Sequence, residues 1–202
     1  MEQIMKSRSF ISVVSILFGL SSLAFAQNSV SSDIHIAKGK KVSRNISTVS
    51  GDVFVGSGAR IKGGVTAVSG DIEIGSKAFV QNVEVVSGNI SIGKGASAAQ
   101  LETVSGDIHL YEKSGVSRSI ETVSGDVNCD SGSDITKNII TVSGDIELDD
   151  SRLRGDLKTV SGDISLFNGS MIDGDIIINR KSNVVLFHDG KLKIIIDMNS
   201  VV

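Results

Sequence analysis

Apolar and polar residues alternate along this chain in short runs, and the runs return at a fixed phase. The string Val-Ser-Gly-Asp, or a close variant, places its glycine at Gly51, Gly70, Gly88, Gly106, Gly125, Gly144 and Gly162, at spacings of 19, 18, 18, 19, 19 and 18 residues. Each unit divides into three short arms, as in SIETVS, GDVNCD and SGSDITK. The first arm carries one apolar column, Ile46, Val65, Val83, Leu101, Ile120, Ile139 and Leu157, with Ile176 continuing into an eighth unit. The Gly-Asp arm carries two more, Val53, Ile72, Ile90, Ile108, Val127, Ile146, Ile164 and, two residues on, Val55, Ile74, Ile92, Leu110, Cys129, Leu148, Leu166. Between these lies a mostly polar column: Phe54, Glu73, Ser91, His109, Asn128, Glu147 and Ser165. Period-2 alternation of this kind predicts a strand with one buried face.

Arms of about six residues, β-branched and broken by glycine, are too short for helices. The same residue type recurs at the same phase in every unit, and parallel in-register stacking places such residues directly over one another. The expected fold is therefore all-β: a parallel β-solenoid (β-helix) with three short arms per coil of 18–19 residues and coils about 4.8 Å apart. Its crossover is expected to be right-handed, as parallel crossovers nearly always are. One pair of columns is left open. Val49, Val68, Val86, Val104, Val123, Val142 and Val160 adjoin Thr48, Thr103, Thr122, Thr141 and Thr159, and both cannot face inward along a regular strand.

Composition supports paired strands. There are 22 glycines and no proline, the residue that cannot donate to a ladder. The 20 Lys plus Arg nearly balance 23 Asp plus Glu, so there is no basic patch for nucleic acid. Lys6 and Arg8, the apolar stretch from Phe10 to Leu20, and Ala24-Phe25-Ala26 read as an export signal cleaved after Ala26. That apolar stretch is shorter than the roughly 20 residues a spanning helix needs. The expected organisation is a cleaved signal peptide at 1–26, a degenerate N-terminal coil at 27–44, the repeat solenoid at 45–178, and a C-terminal cap or looser coils at 179–202. Cys129 is the only cysteine, so no internal disulfide can form, and its apolar column marks it as a buried, unreactive thiol.

The repeated corner holds Asp52, Asp71, Asp107, Asp126, Asp145 and Asp163, with Asn89 at the same phase. Carboxylates stacked this way could ladder calcium. The structural reading is a turn in which Asp or Asn accepts backbone N–H bonds, and Asn89 favours it, keeping the acceptor without the charge. His35, His109 and His188 fall in different units, and no cluster has metal-ligand spacing. Glu73, Glu84, Glu102, Glu121 and Glu147 are the carboxylates a sugar-cleaving enzyme would use. They are expected to be scattered on exposed positions, and with 4% aromatic residues and no Trp there is no stacking platform for a sugar. No catalytic, cofactor-binding or metal-binding residue is assigned, no cofactor is expected, and the chain is read as a non-enzyme.

These T-V-S-G-D-I repeats behind an export signal resemble the adhesin family of exported bacterial β-solenoid proteins. The three-arm coil is also similar to bactofilins, which form polymers. The resemblance covers about residues 33 to 178 and implies an architecture, with no catalytic residue to carry over. It implies an exported, non-enzymatic envelope protein, periplasmic, on the outer cell surface or extracellular, whose repetitive surface serves adhesion or envelope assembly. The alternatives are a self-polymerising bactofilin-like scaffold and, behind it, a polysaccharide-acting β-helix enzyme. Its partner would be a cell-envelope or extracellular surface component. Beyond Asn179 the corner motif is lost, and the apolar runs Asn183 to Phe187 and Leu192 to Ile196 could form a hairpin-like cap or two looser coils. The apolar end, with Ile194, Ile195, Ile196 and Val201-Val202, suggests an uncovered coil through which a homo-oligomer could form. Lys38, Lys40 and Lys41 would discourage stacking at the other end.

Overall fold

The structure is a computed structural model that describes residues 28–29 and 31–178 together with the backbone of two further strands, Val184–Leu186 and Ile194–Ile196. The signal-peptide reading, His188 and Val201-Val202 lie outside the described residues.

Every pairing between described strands is parallel, and coils of about 19 residues stack into a β-solenoid of about eight turns. First arms run from Asn28–Ser29 through Ile46–Ser50 and Val65–Ser69 up to Ile176–Ile178 and Ile194–Ile196. Second arms form a separate nine-stranded sheet from Ile34–Ile36 to Val184–Leu186. Third arms are short, for example Arg60–Ile61 and Asp134–Ile135. In two coils the third arm runs straight into the next first arm, giving the nine-residue strands Phe79–Ser87 and Ser97–Ser105, so that these arms share one sheet. The register pairs equivalent residues, Ile90 with Ile108 and Ile108 with Val127. The columns expected in the core are buried throughout.

The Thr–Val ambiguity resolves in favour of threonine. Thr48, Thr103, Thr122, Thr141 and Thr159 are buried, with Ala67 and Val85 at the same phase. The valines therefore point outward; six are half-buried and Val49 is 39% exposed. Two inner columns were not identified from the sequence. One is Ile61, Val80, Ala98, Val116, Ile135 and Leu153 in the third arm. The other lines the inside of the second corner with Ala59, Ala78 and Ala96, then Ser114, Ser133, Ser151 and Ser170. The switch from Ala to Ser keeps the volume nearly constant, and the added hydroxyls find acceptors. Ser151 Oγ donates to the Asp130 carbonyl at 2.9 Å, and Ser170 Oγ to the Leu148 carbonyl at 2.9 Å. At the C-terminal end, Val184–Leu186 pairs in parallel with Ile164–Phe167, and Ile194–Ile196 with Ile176–Ile178. These strands prolong both sheets, as looser coils would and as a hairpin would not.

The glycine corner shows why its sequence repeats. A Cβ on Gly106 would sit 2.0 Å from the Gly88 carbonyl oxygen, and one on Gly125 2.0 Å from that of Gly106. Each glycine leaves room only for the glycine below it. Gly115, in a third arm, meets nothing nearer than 3.6 Å. Gly106→Ala should therefore lower stability by roughly 2 to 4 kcal/mol through forced separation of two coils, while Gly115→Ala should stay within about 1 kcal/mol of the parent. Denaturant unfolding of the two variants side by side is the measurement, and equal midpoints would contradict the stacked corner.

Candidate functional site

Polar ladders of two kinds climb the rod, and they differ in chemistry. The first is the corner ladder. The N–H of Asp52 donates to Asp33 Oδ1 at 3.0 Å, that of Asp71 to Asp52 Oδ1 at 2.9 Å, and that of Asn89 to Asp71 Oδ1 at 2.7 Å. The series continues through Asp107 onto Asn89, Asp126 onto Asp107, Asp145 onto Asp126 and Asp163 onto Asp145, at 2.8 to 2.9 Å. Each side chain fixes the corner of the next coil, and Asn89 serves as well as Asp because only one acceptor oxygen is used. A sparser second ladder stands at the third corner, where Asn45 Oδ1 accepts from Gly64, Asn138 Oδ1 from Asp156, and Asp156 Oδ1 from Asp175. Its sequence signal is an Asn, Asp or Gly just ahead of most first arms, with Gln100 and Ser119 standing there in two units.

The second kind of ladder corrects the expectation for the glutamates. Glu73 and Glu147 are exposed on the outer face of the second arm. Glu84, Glu102 and Glu121 are not scattered but stacked, paired in register one coil apart on the outer face of the first-arm sheet. Glu102 is only 7% exposed and Glu121 only 4%. The physical reason is the stack itself. An outer-face residue inside a solenoid has like neighbours above and below at about 4.8 Å, and here Asn82 and Gln100 flank the column on one side and the valines on the other. Gln100 Nε2 donates to Glu102 Oε1, but Glu121 Oε2 is shut off from solvent with no hydrogen-bond partner. Burial raises the Glu84 carboxyl above its ordinary range. Burial, and next the charge of Glu84, push Glu102 up to about 7, and burial with the charge of Glu102 does the same to Glu121.

Other groups fall where the sequence placed them. Cys129 is buried at 2% exposure and burial pushes its thiol well up, which makes it a poor nucleophile. His109 lies on the outer face of its strand, stacked on Tyr111 at 4.2 Å between centroids and 3.0 Å from Asp130 Oδ1. His35 packs on Phe54 several coils below. Among the described residues, no group of three or more His, Cys, Asp or Glu is placed to hold a metal ion.

The Toastrack DUF4097 domain matches residues 80–201, more than half of the chain. The chain belongs to the Toastrack DUF4097 family. No curated protein and no solved structure matched it. In this Toastrack chain the matched stretch contains all three stacked glutamates and the corners from Gly88 onward.

Asp107→Asn should leave stability within about 0.5 kcal/mol, whereas Asp107→Ala should cost about 1 kcal/mol by freeing the Asp126 N–H. Neither chelator nor calcium should move the melting temperature, because one oxygen of each ladder carboxylate already takes a backbone donor and, among the described residues, no three such groups converge on one point. The glutamates predict a pH dependence. Their folded-state values lie above the ordinary 4.5, so the folded protein holds extra protons between about pH 4.5 and 7. The stability this contributes is present at the acid side and is lost as pH rises through 7. Allowing for partial solvation, about 1 to 3 kcal/mol should disappear between pH 5 and 8. Urea midpoints for the parent and the Glu102→Gln/Glu121→Gln variant measure it. The variant should be the more stable at pH 8, with a flatter profile.

Proposed function

We propose that this protein is a non-catalytic, exported envelope component that presents an uninterrupted β-solenoid surface for adhesion or envelope assembly. The observation that carries the reading is the unbroken register of both sheets. Between Ile46 and Ile178 every coil repeats the same inner columns, and outer residues change without altering the path of the chain. Such a rod holds surface groups at a fixed repeat, which suits multivalent contact. Export is supported by Lys6, Arg8, the apolar stretch to Leu20 and the Ala24-Phe25-Ala26 pattern.

The stacked glutamates do not favour hydrolysis of polysaccharide. A general acid and its partner carboxylate need environments that drive their pKa values apart, yet Glu102 and Glu121 share one column of one sheet and rise together to about 7. A polymerising scaffold is the second reading, favoured by Val184–Leu186 and Ile194–Ile196, which extend both ladders toward the end of the rod.

Fractionation of the native host, with N-terminal sequencing of the recovered protein, tests the reading. A chain beginning at Gln27 and recovered with the envelope is expected. A full-length chain in the cytoplasm would refute the envelope role. Electron microscopy of the same material separates the two readings, with short rods expected for a presenting surface and filaments for a scaffold.

A further inference from the structure

The outer face of the first-arm sheet carries two columns that stand side by side. Glu84, Glu102 and Glu121 form one. Two residues on along each strand, and so on the same face, stand the half-buried Val86, Val104 and Val123. No described Lys or Arg pairs with these glutamates. Elsewhere carboxylates find cations: Asp134 with Arg154, Asp173 with Arg152, and Glu112 with Lys94. Glu121 Oε2 is enclosed and lacks a partner, as does Asn82 Oδ1 in the flanking column. With Glu121 ionised both atoms are acceptors, so what this face then lacks is a set of donors beside an apolar strip.

We infer that this face docks a basic amphipathic helix of a partner protein, lying along the rod axis with its Lys or Arg side chains on the glutamate column and its apolar stripe on the valines. The inference rests on the reading of the protein as a presenting surface and adds which face is used and by what. Repeat distances select a helix. One helical turn advances about 5.4 Å, against about 4.8 Å per coil, so over three coils the mismatch stays near 1 Å, within the reach of Lys or Arg. A strand laid the same way repeats a side-chain face every 6.6 to 6.8 Å or so and loses register within two coils. The column also has defined ends, Thr66 below Glu84 and Ile140 above Glu121. The next charge in that column, Lys158, is held by Asp156 at 3.2 Å. Among the described residues Gln100 is the only other polar side chain bonded to the column, so deprotonation of the glutamates sets the charge of the face. Helix binding should therefore strengthen from pH 6 to pH 8.5.

The test uses the purified protein in the form recovered from cells and a synthetic 15-residue peptide. One stripe of the peptide has lysines every three to four residues and the next has leucines; a control replaces lysine with glutamate. Fluorescence anisotropy at pH 8 and physiological salt should show binding of the lysine peptide alone. Affinity should fall at least tenfold in Glu102→Gln/Glu121→Gln and in Val104→Ser/Val123→Ser, each checked for fold by circular dichroism. Glu73→Gln/Glu147→Gln should bind like the parent. Equal loss in that exposed pair would reduce the effect to bulk charge and overturn the proposal. So would a protein that self-associates and becomes monomeric in Val104→Ser/Val123→Ser, because a second copy would then own the face. A chain that starts at Gln27 and fractionates with the envelope yet ignores the peptide would sink the docking proposal while leaving the envelope reading standing.

Discussion

Everything in this molecule depends on one spacing, the roughly 4.8 Å between successive coils. Each residue has its own counterpart directly above and below, so a side chain is judged by whether it can stack on itself. Isoleucine, valine and leucine can, and they fill the inner columns. At the Ser-Gly-Asp corner the backbone of one coil comes so near the next that no Cβ fits, and glycine is compulsory. The corner motif is thus a steric consequence of stacking before it is anything chemical.

The same spacing sorts the charged columns. Like charges one coil apart repel, by about 1 kcal/mol per neighbour where water screens them. At the corner, each Oδ1 in turn receives a backbone N–H from the next coil, and the exposed carboxylates remain in water. One backbone donor for each Oδ1 makes the ladder stable with any mixture of Asp and Asn. The glutamate column has the spacing without the donors. Glu102 obtains one hydrogen bond from Gln100, Glu121 Oε2 obtains none, and desolvation shifts both toward the protonated form. Two acidic ladders in one fold therefore have opposite energetic signs.

The repeat made the fold legible before any coordinates. Register, arm number, the three main columns and the role of Asn89 were all contained in the recurrence of Val-Ser-Gly-Asp. Most of what escaped lay where the pattern does not repeat. The third-arm column mixes Ile, Val, Ala and Leu in arms only two residues long, and the second-corner column passes from Ala to Ser, so neither reads as one position. The Thr–Val choice escaped because both residues are β-branched and suit a strand equally. The glutamates were misjudged because exposure was inferred from side-chain type. Their neighbours lie 18 or 19 residues away in sequence and become adjacent only through the register.

This division between repeated and unrepeated positions bears on function. The inner columns and glycine corners admit few substitutions, so variation that the rod can accommodate is confined to its outer columns. There a lone glutamate would be unremarkable surface. Three in succession, two of them buried and all raised above the ordinary carboxyl range, weaken the fold at neutral pH, and Ser47, Thr66 and Ile140 fill the same column elsewhere in this chain. A column that costs stability where Ser, Thr or Ile also fits is what the proposed helix contact would account for, and the valines beside it would give that contact its apolar edge.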